Sequence, residues 1–297
     1  MNVITLPGHN NPVYAVCSHP SETLFYTAGN DKGVVEWDWA LEKHTRVFKN
    51  LPATAYALEV IAEFFLLVAG CNNGDLVFYN LADGNIQQSI NLGSAIFSLR
   101  FHPSKNELIA STDEGKIFII SVQEAKILYQ FQSGNEKVRT VDFSDQLNYL
   151  VTASNDQTIR IFNLEDYAFI HQFEAHLHGV GAASFSPDGT KLITGGRDAH
   201  LRAWDTNSWS ALYNFPAHLF PIYRIIYHPH LPYFATASRD KSIKIWRSED
   251  FSLYRNLSKE KGLDGHALSV NQIAWTHDGS RLVSVGDDKM VKVWELF

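Results

Sequence analysis

The chain has 297 residues, of which 45% are hydrophobic and 19% are charged. These fractions exclude a disordered chain, a collagen-like chain and a coiled coil, and the length predicts two ordinary domains or one very large one. Lys and Arg number 25 against 32 Asp and Glu, a net charge of −7, which argues against nonspecific binding to nucleic acid or anionic membranes. Aromatic residues reach 13%, a content that favours strands over helical bundles.

The two cysteines, Cys17 and Cys71, are too few for a disulfide framework and lack CxxC spacing. We expect both thiols to be reduced and structural. The N-terminus has no export-signal pattern, and the most apolar stretch, residues 57–70, is interrupted by Glu59 and Glu63. We therefore expect a cytoplasmic protein without a membrane span.

A short alternating segment recurs along the chain as VVEWD, LVFYN, IFIIS, IRIFN, LRAWD, IKIWR and VKVWE. The fourth residues of these segments are Trp37, Tyr79, Ile120, Phe162, Trp204, Trp246 and Trp294. Successive members are 42, 41, 42, 42, 42 and 48 residues apart, and turn clusters such as SPDG interrupt the two-residue period. The pattern predicts seven units of four short strands. Such units must stack on one another, because each is too small to bury its own apolar face.

Four of these units share a Gly-His or Ala-His dipeptide, a hydroxyl residue, an aspartate 22 residues after the histidine, and a tryptophan. This set resembles the WD-repeat β-propeller family, and the resemblance covers the whole chain. It implies an all-β fold, a single seven-bladed propeller over residues 1–297 with four-stranded antiparallel blades. It also implies a hydrogen-bond network inside each of the four blades. The network residues are His9, Thr27, Asp31, Trp37, His176, Thr194, Asp198, Trp204, His218, Thr236, Asp240, Trp246, His266, Ser284, Asp288 and Trp294.

The other three units depart from this pattern. The fourth keeps Thr152 and Asp156 but has Gly134 and Phe162 at the histidine and tryptophan positions, which predicts a truncated network. The second and third units carry other residues at the network positions, and we expect packing alone to hold them. Those residues are Leu51, Ala69, Asn73, Leu92, Ala110 and Glu114.

The two ends of the chain predict how the ring closes. The seventh unit ends after its third strand, whereas residues 2–6 precede the first Gly-His dipeptide and have no other unit to join. We expect this N-terminal strand to complete the last blade. We also expect the chain to carry no appended catalytic or targeting domain.

Sequence motifs for catalysis are lacking: the chain has no GxSxG elbow, GxGxxG loop, P-loop, HExxH motif or DxDxDG loop. The Asp, His and Ser/Thr sets recur in four units, so we interpret them as structural rather than catalytic. The pairs His176/His178 and His228/His230 lack a third ligand at a metal-like spacing, so we expect no metal and no cofactor.

These observations favour a noncatalytic scaffold or adaptor that binds peptides or partner proteins, as a monomer or as a subunit of a complex, without nucleic acid or membrane partners. A propeller enzyme with an active site at the channel mouth is one alternative. A structural subunit of a larger complex is the other.

In the family that the chain resembles, partner peptides commonly contact the residue before the aspartate and residues after the histidine. Aromatic and arginine side chains, which are enriched at binding hot spots, occupy many of these positions here. We predict a peptide or loop with an acidic or phosphorylated group, anchored by Arg197 and Arg239. In the alternative interpretation, the aromatics pack the channel wall and the arginines are solvated or pair with Asp113 and Asp287. The candidate binding residues are Tyr14, Tyr56, Phe97, Lys137, Arg139, Arg197, Tyr223 and Arg239.

The 48-residue interval adds residues around 258–264, between the sixth and seventh units. Surface loops absorb insertions at little thermodynamic cost. A simple loop and a contact with a partner both remain open for this segment.

Overall fold

The structure, a computed structural model, describes residues 2–19 and 23–297. Within these residues the strands form seven four-stranded antiparallel sheets. The sheets are the blades of a closed seven-bladed propeller, which confirms the predicted fold class. We number the blades 1 to 7 in chain order, beginning with the sheet that contains residue 13.

The first strand of each blade lines the central channel, and the later strands follow outwards. Blades 1 to 3 consist of β2 (Val13–Ser18), β3 (Leu24–Gly29), β4 (Val34–Asp38) and β5 (Lys43–Phe48), then β6 (Ala55–Ile61), β7 (Leu66–Cys71), β8 (Asp75–Asn80) and β9 (Ile86–Asn91), then β10 (Ile96–His102), β11 (Glu107–Thr112), β12 (Lys116–Ser121) and β13 (Lys126–Gln132). Blades 4 and 5 consist of β14 (Val138–Ser144), β15 (Tyr149–Ser154), β16 (Thr158–Asn163) and β17 (Phe169–Glu174), then β18 (Val180–Phe185), β19 (Lys191–Gly196), β20 (His200–Asp205) and β21 (Ala211–Pro216). Blades 6 and 7 consist of β22 (Ile222–Tyr227), β23 (Tyr233–Ser238), β24 (Ile243–Arg247) and β25 (Leu253–Leu257), then β26 (Val270–Trp275), β27 (Leu282–Gly286), β28 (Val291–Glu295) and β1 (Asn2–Leu6).

Apolar side chains between neighbouring blades form the core. One cluster joins Val13, Phe25 and Trp37 of blade 1 to Val283 and Val293 of blade 7. In the described chain there are seven such clusters, one at each junction between neighbouring blades. Each blade therefore depends on both neighbours for burial of its apolar faces, as expected for a unit of this size.

The N-terminal strand closes the ring, as the sequence predicts. β1 pairs antiparallel with β28, in a register that runs from Asn2 opposite Glu295 to Leu6 opposite Val291. The Leu6 side chain is buried in the cluster between blades 7 and 1. The last blade thus takes its outer strand from the start of the chain.

The additional residues at 258–264 contact this closing strand. The segment contains a 3₁₀ turn at Lys259–Lys261. The Asp264 carboxylate accepts a hydrogen bond from the Thr5 hydroxyl at 2.6 Å and lies 3.0 Å from the Lys292 ammonium. Leu263 packs against the cluster between blades 6 and 7. In this structure the insertion therefore braces the closing strand against β28.

Helices in the described part of the chain are three 3₁₀ turns of three residues, at Ala62–Phe64, Pro103–Lys105 and Lys259–Lys261. No helix within these residues is long and apolar enough to cross a membrane.

Candidate functional site at the channel mouth

The first strand of every blade carries a β-bulge near its start. In blade 1, Val13 lies opposite Gly29 and Ala15 opposite Ala28, so Tyr14 is the extra residue. A bulge bends the strand and changes the direction of the extra side chain. The extra residues of the seven blades are Tyr14, Tyr56, Phe97, Arg139, Gly181, Tyr223 and Asn271.

These bulged residues line a concave cavity of about 500 Å³ at the mouth of the channel. The cavity is also lined by Lys137 and by residues that precede the aspartates of the later blades, including Arg197 and Arg239. The structure thus brings all eight candidate binding residues into one site. Gly181 has no side chain, and a Cβ atom there would lie 2.2 Å from the Ile222 carbonyl oxygen, so only glycine fits against the neighbouring blade at this position.

Aromatic rings cover one side of the cavity. The Tyr14 and Tyr56 rings meet edge to face at 5.4 Å between centroids, and the Tyr56 and Phe97 rings stack at 5.3 Å. Burial and the nearby Asp287 carboxylate raise the pKa of Tyr14. Tyr223 lies on blade 6, apart from this row, and keeps 37% of its surface exposed. Three aromatics therefore pack together, as the alternative interpretation predicts, while the fourth is open to solvent.

Cationic side chains cover the adjoining side. Lys137 forms an ion pair with Asp113 at 2.6 Å, and the Arg139 guanidinium lies 4.6 Å from the centroid of the Phe97 ring. Burial and the charge of Arg197 lower the pKa of Arg139. This arrangement makes the wall formed by blades 4 to 6 electropositive.

Arg197 and Arg239 differ from Lys137 in having no carboxylate partner. Both residues are exposed, and neither lies within 4.0 Å of an acidic group among residues 2–19 and 23–297. Asp287, the other acidic residue at the rim, instead accepts a hydrogen bond from the Asn271 amide at 2.8 Å. Asp113 therefore pairs with Lys137 rather than with an arginine. Among these residues the two arginines pair with neither Asp113 nor Asp287 and are exposed to solvent, which is the other arrangement that the alternative interpretation allows.

Hydrogen-bond networks inside blades 1, 5, 6 and 7 support this rim. In blade 6 the Trp246 indole N–H donates to the Thr236 hydroxyl at 2.9 Å, and this hydroxyl lies 2.7 Å from His218 Nε2. His218 Nδ1 lies 2.9 Å from the Asp240 carboxylate. An ionised carboxylate only accepts, so Nδ1 carries the proton and Nε2 accepts from the hydroxyl. The same bonds join His9, Thr27, Asp31 and Trp37, then His176, Thr194, Asp198 and Trp204, then His266, Ser284, Asp288 and Trp294.

The network aspartates also hold the loop that follows each histidine. Asp198 accepts the Leu177 backbone N–H at 3.3 Å, and Asp240 accepts the Leu219 N–H at 3.0 Å. Leu177 and Leu219 are 63% and 78% exposed. Each aspartate directly follows an arginine of the rim, so blades 5 and 6 both present an exposed leucine with an unpaired arginine. These leucines are not among the binding residues predicted from the sequence, although each directly follows the histidine of its repeat.

Blades 2 to 4 have different interiors. In blade 4 the Ser133 hydroxyl lies 2.7 Å from the Thr152 hydroxyl, and Asp156 accepts the Asn135 N–H at 3.0 Å. Blades 2 and 3 place apolar residues at the histidine and hydroxyl positions, within the clusters that join them to their neighbours. These residues are Leu51 and Ala69 in one cluster and Leu92 and Ala110 in the other.

We expect the networks to make stability depend on pH. Burial lowers the pKa of His9, His176 and His218 below the ordinary value of 6.5, despite their aspartate partners. Burial opposes ionisation of Asp198 and Asp240, but hydrogen bonds outweigh it and lower their pKa. With both kinds of group the unfolded chain binds more protons than the folded one as the pH falls. The urea midpoint, followed by tryptophan fluorescence, should therefore fall between pH 7 and 5 through the histidines and again below 3.8 through the aspartates. Equal midpoints at pH 7 and 5 would contradict this expectation.

Neither histidine pair singled out in the sequence belongs to a larger ligand set among the residues that the structure describes. His228 Nε2 lies 3.0 Å from the Gly279 carbonyl oxygen, and its Nδ1 accepts the backbone N–H groups of His230 and Leu231. Across residues 2–19 and 23–297 no three His, Cys, Asp or Glu residues are grouped closely enough to hold a metal ion.

Comparisons with known proteins agree with the repeat pattern. A family model described as WD domain, G-beta repeat matches residues 2–38, 125–163, 167–205, 209–247 and 257–295. A 43-residue segment, 14% of this chain, is 46% identical to the protein ALTERED SEED GERMINATION 2 of Arabidopsis thaliana and covers 6% of it. A 119-residue segment, 39% of this chain, is 25% identical to mouse echinoderm microtubule-associated protein-like 3 and covers 13% of it.

This chain therefore spans only a small part of the length of either relative. The family model covers more than half of the chain, and the longest stretch outside it, residues 39–124, contains the outer strand of blade 1, all of blade 2 and the first three strands of blade 3. The chain belongs to the WD40 repeat family.

Proposed function

We propose that this protein is a noncatalytic adaptor that binds a peptide or loop of a partner protein at the mouth of its channel. WD40 propellers typically serve as protein-interaction scaffolds. The observation that carries the proposal is the pair Arg197 and Arg239, exposed and without carboxylate partners in the described chain, at the edge of a cavity walled by aromatic rings. Arginine and aromatic residues in a concave site are the usual anchors of protein recognition.

The charge of this site favours an acidic or phosphorylated ligand. Arg139, Arg197 and Arg239 lie on successive blades, and each guanidinium offers planar donors that match a carboxylate or phosphate. The exposed Leu177 and Leu219 add apolar contact beside the arginines. The proposed ligand is therefore a segment in which an acidic or phosphorylated residue is flanked by apolar side chains.

The rim arginines can be tested with short peptides of defined chemistry. We expect a library with a fixed central phosphoserine or glutamate to yield ligands, whereas the library with serine at that position should not. The variant Arg197→Ala with Arg239→Ala should bind a selected peptide on the order of 100-fold more weakly in fluorescence anisotropy, because each lost charged hydrogen bond contributes about 1.5–3 kcal/mol.

A matched control removes two positive charges, as the rim double variant does, but at positions away from the rim. Lys43 and Lys126 are exposed residues of the outer strands β5 and β13. The variant Lys43→Ala with Lys126→Ala should bind the peptide as the unaltered protein does. Equal loss in both double variants, or selection of the serine library, would refute the proposed role of the rim.

A cytoplasmic location belongs to the same proposal. It is supported by Cys17 and Cys71, which are both buried as free thiols, the form that a reducing compartment maintains. Burial raises the pKa of both thiols, so they behave as structural rather than reactive groups.

A further inference from the structure

A second cavity, of about 680 Å³, lies within the channel. It is lined by the first strands of all seven blades. Phe97, Arg224 and Gln272 line both this cavity and the one at the channel mouth. These three residues therefore mark the level at which the two cavities meet.

Arg224 and Gln272 occupy equivalent positions in neighbouring blades. Each is the first paired residue after the bulge in its strand. In the other five blades a smaller residue stands at this position, so Arg224 and Gln272 carry the two longest side chains at this level of the channel. These small residues are Ala15, Ala57, Ser98, Thr140 and Ala182.

The acidic groups of the same region are already engaged. Asp142 Oδ1 accepts a hydrogen bond from Arg100 at 2.9 Å, and its Oδ2 accepts the Phe185 backbone N–H at 2.9 Å. Glu59 accepts the Phe101 N–H at 3.0 Å. Both carboxylates thus tie one blade to the next.

Arg224 has no such partner. Its side chain forms no hydrogen bond or ion pair with residues 2–19 and 23–297, and its Nε is buried without an acceptor. The Gln272 side chain likewise bonds to none of these residues. Burial and repulsion by Arg100 outweigh attraction by the Asp142 and Glu59 carboxylates and lower the pKa of Arg224 to about 10, which leaves the guanidinium charged at neutral pH. An unpaired charge inside a protein is unfavourable, and a bound anion relieves it.

We propose that Arg224 and Gln272 bind the phosphate or carboxylate group of a small anionic molecule inside the channel. The guanidinium supplies charge and parallel donors, and the amide supplies neutral donors. The volume of the second cavity, within the channel, is in the range of known small-molecule sites. This site is distinct from the rim pair and does not rest on the proposed peptide binding.

Calorimetric titration with inorganic phosphate and, separately, with acetate tests this site at low ionic strength and pH 7. We expect saturable binding of at least one anion at one site per chain, and the two titrations show which oxyanion is preferred. Arg224→Gln should weaken that binding at least about tenfold. The variant Arg197→Ala with Arg239→Ala should retain it. Absence of binding to both anions, or unchanged binding by Arg224→Gln, overturns the proposal.

A second variant supplies the missing anion within the chain. Gln272→Glu places a carboxylate in the neighbouring blade, at the position equivalent to that of Arg224. We expect this variant to melt at a higher temperature than the unaltered protein and to lose phosphate or acetate binding. Phosphate or acetate binding at full affinity in Gln272→Glu overturns the proposal even if Arg224→Gln does not fold.

Discussion

Deletion of residues 1–6 is expected to lower the free energy of unfolding by at least about 5 kcal/mol. The deletion removes β1 and its five aligned residue pairs with β28. It also removes Leu6, which is 1% exposed, and burial of such a side chain contributes roughly 2–3 kcal/mol. Each lost backbone hydrogen bond adds about 1 kcal/mol. A loss of this size is a large part of the stability of a typical protein.

Urea unfolding of the shortened and full chains measures this effect. A synthetic peptide of residues 1–8, added to the shortened chain, should restore part of the lost stability by pairing with β28. The same peptide with Leu6→Asp should not, because it carries a charge into the cluster between blades 7 and 1. An unchanged urea midpoint after the deletion would show that β1 does not close the ring.

The networks and the closing strand can be predicted from sequence because their signals are local or terminal. The histidine, hydroxyl, aspartate and tryptophan of one network lie within a single blade at constant spacing, as in His218, Thr236, Asp240 and Trp246. Their chemistry also allows one arrangement of donors and acceptors. The role of the closing strand can likewise be predicted, because the seventh unit ends after its third strand and residues 2–6 have no other unit to join.

The rim is less predictable, because it depends on how strands and blades meet. The bulge at Tyr14 is a register shift between two strands, and no residue type at that position requires it. The ion pair between Lys137 and Asp113 joins blades 4 and 3. It therefore depends on how the two blades pack together and cannot be predicted from the sequence of either blade alone. The lack of a hydrogen-bond partner for Arg224 among the described residues also depends on how the blades meet. It becomes evident only from the structure, in which Asp142 and Glu59 accept hydrogen bonds from other residues.

Asp240→Ala is expected to destabilise the protein by about 3 kcal/mol, because it removes the acceptor of donors on the buried residues His218 and Ser242. Asp240 accepts hydrogen bonds from His218 and from the Leu219 and Ser242 backbone N–H groups. The loop at Leu219 would then lose its attachment to the blade. We therefore expect weaker peptide binding at the rim as well, through displacement of Leu219 and the adjacent arginine.

Asp250→Ala in the same blade is the matched control. Asp250 is exposed and accepts a single backbone N–H, from Ser252 at 2.9 Å, so its loss should reduce stability by less than about 1 kcal/mol. Urea unfolding and peptide anisotropy on both variants separate the two positions. Similar small effects at Asp240 and Asp250 would mean that packing, rather than the hydrogen-bond network, holds the loop. In that case the exposed Leu219 and Arg239 of blade 6 would keep their positions without the hydrogen bonds of Asp240.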